Sequence, residues 1–302
     1  MSDFPMRIRI GTMVRGDRNC AEFIRKIIHY GFESFQIFFW ESLNGTDLYR
    51  LAEELRTLFN ERNDAYPPRI STLALFGNPL ADGERGETAR EGWEALIEAA
   101  PAFETELVTG FTGRIPGSAW EESLPRFAEF FGPLSKRAGE KGIRLAFENC
   151  PMGGNWDSGD WNLAFNPAAW ERLFQAVPAD NLGLEWEPAH QILQLIDPLE
   201  QLALWAPKIF HVHGKDASRF DRGIRREGIL GPQALGEERF PGFGESDWRR
   251  IVTELLRSGY RGTIDIEGHN DAFFRKELEL TGQIRALEYL KSCRGGDYIP
   301  KP

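Results

Sequence analysis

Four stretches of this 302-residue chain run through β-branched or aromatic residues and close on Glu or His. They are Arg144-Leu145-Ala146-Phe147-Glu148-Asn149-Cys150, then 182–190, 209–216 and 263–269. Each reads as a short buried strand with a carboxylate or imidazole at its end. In a parallel barrel the C-terminal strand ends converge on one rim, where chemistry sits. Glu148, Glu187, His213 and Glu267 are then expected around one divalent cation. Three carboxylates and one imidazole form a hard, oxygen-rich donor set. It favours Mn²⁺ or Mg²⁺ and tolerates Co²⁺ or Zn²⁺. A single Glu at a strand end is more often a salt-bridge partner. Four such groups ending four separate strands favour the shared ion.

Neighbouring residues leave alternatives. Glu185 and Glu187 have the same parity, so either can face the ion, and Glu187 is chosen because it is nearer the turn. His211 and His213 share a face under period-two alternation. His213 is the expected ligand, and His211 then positions it or touches substrate. His190 follows Glu187 by three residues and can face the same cavity. His269 faces that cavity or caps a loop. Lys215 binds substrate or pairs with Asp216. His29 falls within a helix and is expected on the surface. Cys150 reads as a small buried residue rather than a nucleophile.

The elements that must carry these groups alternate. Strands are expected at 7–11 (breaking at Gly11-Thr12), 32–40, 69–76 and 106–110, followed by the four stretches above. Helices are expected between them, at about 47–63, 85–100 and 118–142 among others. Gly31 and Gly259 are stop signals. Asn166-Pro167 reads as an N-cap with proline at the first helical position, and Ser246 as a cap for the helix bearing Trp248, Ile251, Val252 and Leu255. Eight strands alternating with helices predict an α/β fold, a single (β/α)8 TIM barrel over residues 1–302. Two long irregular segments, 151–165 and 217–245, follow barrel strands. They are expected to cover substrate or make subunit contacts in a homo-oligomer.

Composition narrows the function. The formal charge of −10 argues against binding to phosphate backbones. Three cysteines without metal-ligand spacing suit a reducing compartment. No signal peptide and no membrane-length apolar run are evident, so a cytoplasmic protein is the expectation. No Gly-rich phosphate cradle is evident either. A non-phosphorylated sugar, a cyclic polyol or an oxidised glycoside is the expected substrate. Trp156, Trp161, Trp186 and Trp40 are candidates to stack on a sugar ring, with core packing favoured for Trp40.

These motifs resemble the sugar isomerase/epimerase family with xylose-isomerase-like barrels. The residues are Phe147-Glu148-Asn149, Glu187-Pro188-Ala189-His190, His211-Val212-His213-Gly214-Lys215-Asp216, Pro241-Gly242-Phe243-Gly244 before Asp247-Trp248, and Asp265-Ile266-Glu267-Gly268-His269. The resemblance implies a metal held by Glu148, Glu187, His213 and Glu267, with Glu187 standing where the family usually has Asp. It also implies substrate contact by His190 and, from its spacing six residues past the metal His, by Arg219. Glu148 and Glu267 are implied as the proton-transferring groups on opposite faces of the sugar.

The expected chemistry is proton abstraction next to a carbonyl, through an enediolate whose charge is borne by the metal. Proton return gives isomerisation or epimerisation. Loss of a β-leaving group makes a lyase or dehydratase, the runner-up reading. An apurinic endonuclease is disfavoured by only five histidines and by the acidic balance. A non-catalytic sugar- or metal-binding protein is the remaining alternative.

Overall fold

A computed structural model describes residues 8–61 and 66–295. The expected contributions of Arg7 and Asn63 fall outside the described residues. The strands are β1 (Arg9–Arg15), β2 (Ser34–Trp40), β3 (Arg69–Phe76), β4 (Leu107–Gly110), β5 (Arg144–Glu148), β6 (Leu182–Trp186), β7 (Ile209–Gly214), β8 (Asp216–Arg219), β9 (Gly236–Arg239) and β10 (Thr263–Ile266). Eight of them close a barrel in the order β1-β10-β7-β6-β5-β4-β3-β2, while β8 and β9 pair apart from it. The helices are α1 (Cys20–Ile27), α2 (Leu48–Asn60), α3 (Gly83–Ala99), α4 (Trp120–Glu140), α5 (Pro167–Ala176), α6 (Ala189–Leu193), α7 (Pro198–Trp205), α8 (Asp221–Glu227), α9 (Trp248–Arg257) and α10 (Glu279–Arg294).

The parallel registers set which side chains share a row. Glu148 lies beside Glu185, His213 beside Asp265, and Gly11 beside Asp265. Side chains alternate along a strand, so neighbours in sequence face opposite ways. Phe147 shows where the other face goes. Its ring lies 4.8 Å from Phe131 and 5.6 Å from Phe127, both on α4. Phe131 in turn meets Trp93 of α3 edge-on at 5.4 Å. Burying each such ring contributes roughly 2–3 kcal/mol. That anchoring holds Glu148 on the opposite face.

The helices begin where short polar side chains satisfy their first amides. Asp47 accepts from Arg50 N, Asn166 from Ala169 N, and Asp197 from Leu199 N and Glu200 N. Pro167 follows Asn166 as the sequence predicts. At α9 the expected cap is corrected. Asp247, not Ser246, accepts from Arg250 N, because the Ser246 amide is drawn to Asp216 Oδ1 at 2.9 Å.

Two further expectations are corrected. β1 does not break at Gly11-Thr12 but runs on to Arg15. Gly11 and Thr12 pair with Asp265 and Ile266, and Thr12 Oγ1 donates to the Ile266 carbonyl at 3.1 Å. The 217–245 segment is not irregular throughout. It holds α8 and the antiparallel β8–β9 pair, with Asp216 opposite Arg239. Residues 189–193, just beyond β6, form α6.

The chain divides into two compact units. One is Met13–Trp186 with Lys208–His211 and contains α1 to α5 and β2 to β6. The other comprises the described residues of Met1–Thr12, Glu187–Pro207 and Val212–Pro302. In the first, Arg114 is fully buried and ties the 151–165 segment down. It donates from Nη1 to the Asn155 carbonyl at 2.6 Å and from Nη2 to the Ser118 carbonyl at 2.6 Å. Gly159 packs so close that a Cβ there would crowd the Arg114 guanidinium. In the second, Asp216 gathers the Ala217 and Ser246 amides at 2.8 and 2.9 Å and the Trp248 indole at 3.2 Å. Gly244 approaches the same carboxylate so closely that a Cβ would collide with Oδ1.

Candidate metal centre

Ligand atoms of Glu148, Glu187, His213 and Glu267 all lie within 4.8 Å of one another. Glu148 ends β5, Glu187 follows β6, His213 lies in β7 and Glu267 follows β10. The fold therefore brings together the four residues singled out as ligands, and all four are buried.

Each is held by a local device. Asn162 Nδ2 donates to the Glu148 and Cys150 carbonyls, both at 2.8 Å, and fixes the chain leaving β5. Thr112 Oγ1 donates to Asn162 Oδ1 at 2.7 Å and sets the amide's orientation. Glu187 Oε1 lies 2.7 Å from His190 Nε2, one turn on in α6. His213 Nδ1 lies 3.2 Å from Glu267 Oε2. The Glu267 amide donates to the Gly214 carbonyl at 3.1 Å, continuing the β10–β7 ladder one residue past the strand.

Electrostatics make the cluster costly without a cation. Three carboxylates repel one another when buried at this spacing. Lys215 supplies one positive charge. Its Nζ lies 2.7 Å from Glu267 Oε1 and 3.2 Å from Glu238 Oε2 of β9. Burial works to raise the Glu267 carboxyl. The Lys215 ammonium, the hydrogen bond and charge of His213, and His269 together outweigh burial and hold it well below the ordinary carboxylate range. Hard anionic oxygens plus one imidazole, all buried, fit a divalent cation.

A second group lies two residues deeper along β6 and β7. Ligand atoms of Glu185, His211 and His213 also lie within 4.8 Å of one another. Glu185 Oε1 accepts from Gln36 Nε2 of β2 at 2.5 Å and lies 2.8 Å from His211 Nδ1. Glu185 is thus engaged inside the barrel. His211, only 1% exposed, stands against it rather than at the mouth.

Other expected contacts fall differently. Trp186 is fully buried and lies on the opposite face of β6 from Glu185, so strand alternation turns it away from any sugar. Trp156 packs against Trp120 and Phe165, at 5.0 and 5.5 Å, inside the tied-down segment. The Lys215–Asp216 pair is replaced. Lys215 reaches Glu267 and Glu238, while Asp216 serves Ala217, Ser246 and Trp248. Arg219 lies on β8 with its Nε 3.2 Å from Glu245 and 3.3 Å from Asp221. Two acidic neighbours hold it, which weakens the substrate contact implied by spacing. His269 is exposed, two residues past Glu267, and His29 is exposed as expected. Trp40 is 38% exposed and lies 5.5 Å from Trp161, so it is not core. Cys150 is buried, as read.

Asn162, Glu238, Gln36 and Arg114 also shape these surroundings, and sequence reasoning did not find them. None belongs to a periodic pattern. The strongest available signal was parity, since His211, His213 and Lys215 fall on one face and Asp216 on the other.

The closed parallel barrel with donors at its strand ends defines a class. The sequence matches the xylose isomerase-like TIM barrel family over residues 24–293, and the chain belongs to that family. Among curated relatives, it is 29% identical over 161 residues to the rhizopine catabolism protein MocC of Rhizobium meliloti, covering 52% of this chain and 45% of that protein. It is 26% identical over 178 residues to inosose dehydratase of Bacillus thuringiensis, covering 58% and 56%. The matched stretches thus span about half the length of these two relatives. Among solved structures, 3-keto-D-glucoside 4-epimerase YcjR from E. coli superposes with a TM-score of 0.69 at 16% identity, covering 95% of this chain and all of that one. The IOLI protein with a bound zinc atom superposes with a TM-score of 0.62 at 17% identity, covering 95% and 96%. This is an enzyme-family fold, and the proteins it is similar to include a 3-keto-D-glucoside 4-epimerase and an inosose dehydratase. Among the described residues, no helix is long and apolar enough to cross a membrane.

Proposed function

We propose that this chain is a divalent-metal-dependent enzyme that abstracts a proton next to a carbonyl of a sugar or cyclic polyol. The observation that carries the reading is the four-residue donor group within 4.8 Å. Glu148, Glu187, His213 and Glu267 would hold the ion, with Mn²⁺ the best match to the donors and zinc supported by the IOLI protein. When bound, the ion supplies Lewis-acid polarisation of the substrate carbonyl and its neighbouring hydroxyl.

This chain's own residues do the rest. Glu148, buried and fixed at its backbone by Asn162, would take or return a proton. Glu267 is held ionised by Lys215, which suits the complementary role of proton acceptor. The Glu187 contact orients His190 toward the same group of side chains, where its ring can meet a substrate hydroxyl. Burial of all four donors excludes water from the reacting atoms.

Isomerisation or epimerisation is the leading outcome. Elimination is the second reading, favoured by the similarity to inosose dehydratase. Proton exchange with deuterated water, followed by NMR over a panel of ketoses and inososes, tests the shared first step. Exchange that depends on metal and on Glu148 supports it. A product absorbing in the ultraviolet separates dehydration from isomerisation. Metal-loaded protein that exchanges no α-proton on any of these compounds would refute the reading.

A further inference from the structure

The donor group uses the ends of β5, β6, β7 and β10. The ends of β2, β3 and β4 carry a different chemistry. Phe38, Phe76, Phe111 and Met13 belong to one apolar cluster, and Met152 and Trp161 pack on it. Phe76 and Phe111 meet at 5.1 Å, and Phe38 and Phe76 at 6.1 Å. Trp40, the last residue of β2, lies 5.5 Å from Trp161 and 6.3 Å edge-on from Phe111. The Arg85 guanidinium lies 4.0 Å from the Trp161 ring centroid and pairs with Glu41 at 3.1 Å, which fixes that indole.

This face is tied to the candidate centre through β5 and the chain that leaves it. Cys150 is a member of the cluster, and the Asn162 amide that holds Glu148 also holds Cys150. With that centre read as a sugar site, an occupant of this face would be part of the same substrate. The cluster itself holds only Met, Phe, Ala, Cys and Trp side chains. A free ketose carries hydroxyls on nearly every carbon, and this surface is mainly carbon, with polar groups confined to the indole N–H groups and the Arg85–Glu41 pair at its edge. Uncovered indoles held in fixed positions match a flat ring, which can stack or meet them edge-on.

We propose that Trp40 and Trp161, backed by Phe76 and Phe111, form a subsite for an aromatic aglycone, so that the substrate is an aryl glycoside bearing a ring ketone rather than a free sugar. The proposal rests on reading the neighbouring centre as a sugar site.

Calorimetry on the manganese-loaded protein with phenyl β-D-glucopyranoside and methyl β-D-glucopyranoside tests it. Phenyl glucoside is expected to bind about tenfold tighter or more, from the added ring burial. Trp161→Ala should bring the ratio close to one through loss of phenyl glucoside affinity. Trp40→Leu, at a half-exposed position, should act in the same direction and guards against misfolding of the first variant. Equal affinity in the native protein, no binding of either glycoside, or a ratio kept in both variants would overturn the subsite. Cellobiose binding as tightly as phenyl glucoside would overturn the aromatic assignment in favour of a second sugar. Repeating the titration in Glu148→Gln separates the two readings, because binding needs no proton transfer. A phenyl preference kept there, in a protein whose native form exchanges no proton, would leave the subsite standing and remove the reaction.

Discussion

Two sets of strand ends in one barrel carry opposite chemistries. β5 ends on Glu148, Glu187 and Glu267 follow β6 and β10, and His213 is the last residue but one of β7. β2 and β3 finish on Trp40 and Phe76, and β4 is followed by Phe111. The polar set is held by hydrogen bonds and ion pairs: Asn162 on the Glu148 carbonyl, Lys215 on Glu267, His190 on Glu187. The apolar set is held by ring contacts of 5.1 to 6.3 Å. Buried charge is orientation-sensitive and intolerant of loss, whereas ring packing tolerates exchange of similar shapes. On the proposed reading, reaction chemistry belongs to the first set and substrate choice to the second. Variants in the two sets should therefore fail differently.

The largest difference is expected at Glu148. Glu148→Gln should lower α-proton exchange by on the order of a thousandfold or more, from loss of a positioned proton-transfer group. Trp161→Ala should leave exchange of a small free ketose nearly unchanged. Solvent deuterium incorporation measured by NMR reads both. Equal losses in the two variants would break the division between the sets.

Next in size is Lys215→Met. Lys215 and Glu267 are 4% and 6% exposed at their side chains. Removing one partner leaves a buried carboxylate without its counter-charge and should cost about 3 kcal/mol in chelator. Added Mn²⁺ should recover part of that loss, because the ion takes up the same carboxylate. Urea unfolding with and without metal measures it. A loss that metal does not change would place Lys215 outside the centre.

Asn162→Ala follows. It removes two donated bonds, to the Glu148 and Cys150 carbonyls, and should cost about 2 kcal/mol. Metal affinity should weaken as well, since the Glu148 backbone is released. Isothermal titration with Mn²⁺ checks that. Unchanged affinity would show that β5 holds Glu148 without help.

The smallest effect concerns pH. Burial pushes the Asp216 carboxyl up from its ordinary value near 3.8, opposed by hydrogen bonds from Ser246, Ala217 and Trp248. A raised carboxyl favours the folded state below the ordinary value and loses that contribution as pH rises through the raised one. Over that window the native protein should lose stability relative to Asp216→Asn as pH increases. Parallel stability–pH curves for the two proteins would contradict it.

The sequence made part of this division legible. The four ligand positions stood out because apolar strands that end on charge are unusual. Asn166-Pro167 announced α5 because capping chemistry is local. The β8–β9 pair was hidden. Asp-Ala-Ser-Arg and Gly-Glu-Glu-Arg carry no apolar alternation, and long-range contacts fix their register. Trp40 read as core because the last residue of an apolar strand looks like the rest of it. Lys215 and Asp216 read as partners because they are adjacent, yet adjacent residues in extended chain face opposite ways. The partner of Lys215, Glu267, lies 52 residues away. Asn162 and Arg114 act on backbone carbonyls, which leave no mark in composition.

Crystals grown with Mn²⁺ and measured near the manganese absorption edge would reveal whether the four donor side chains hold a single ion. The account predicts one anomalous peak within bonding distance of Glu148, Glu187, His213 and Glu267. A peak seated on Glu185, His211 and His213 instead, or no peak near either group, would contradict it.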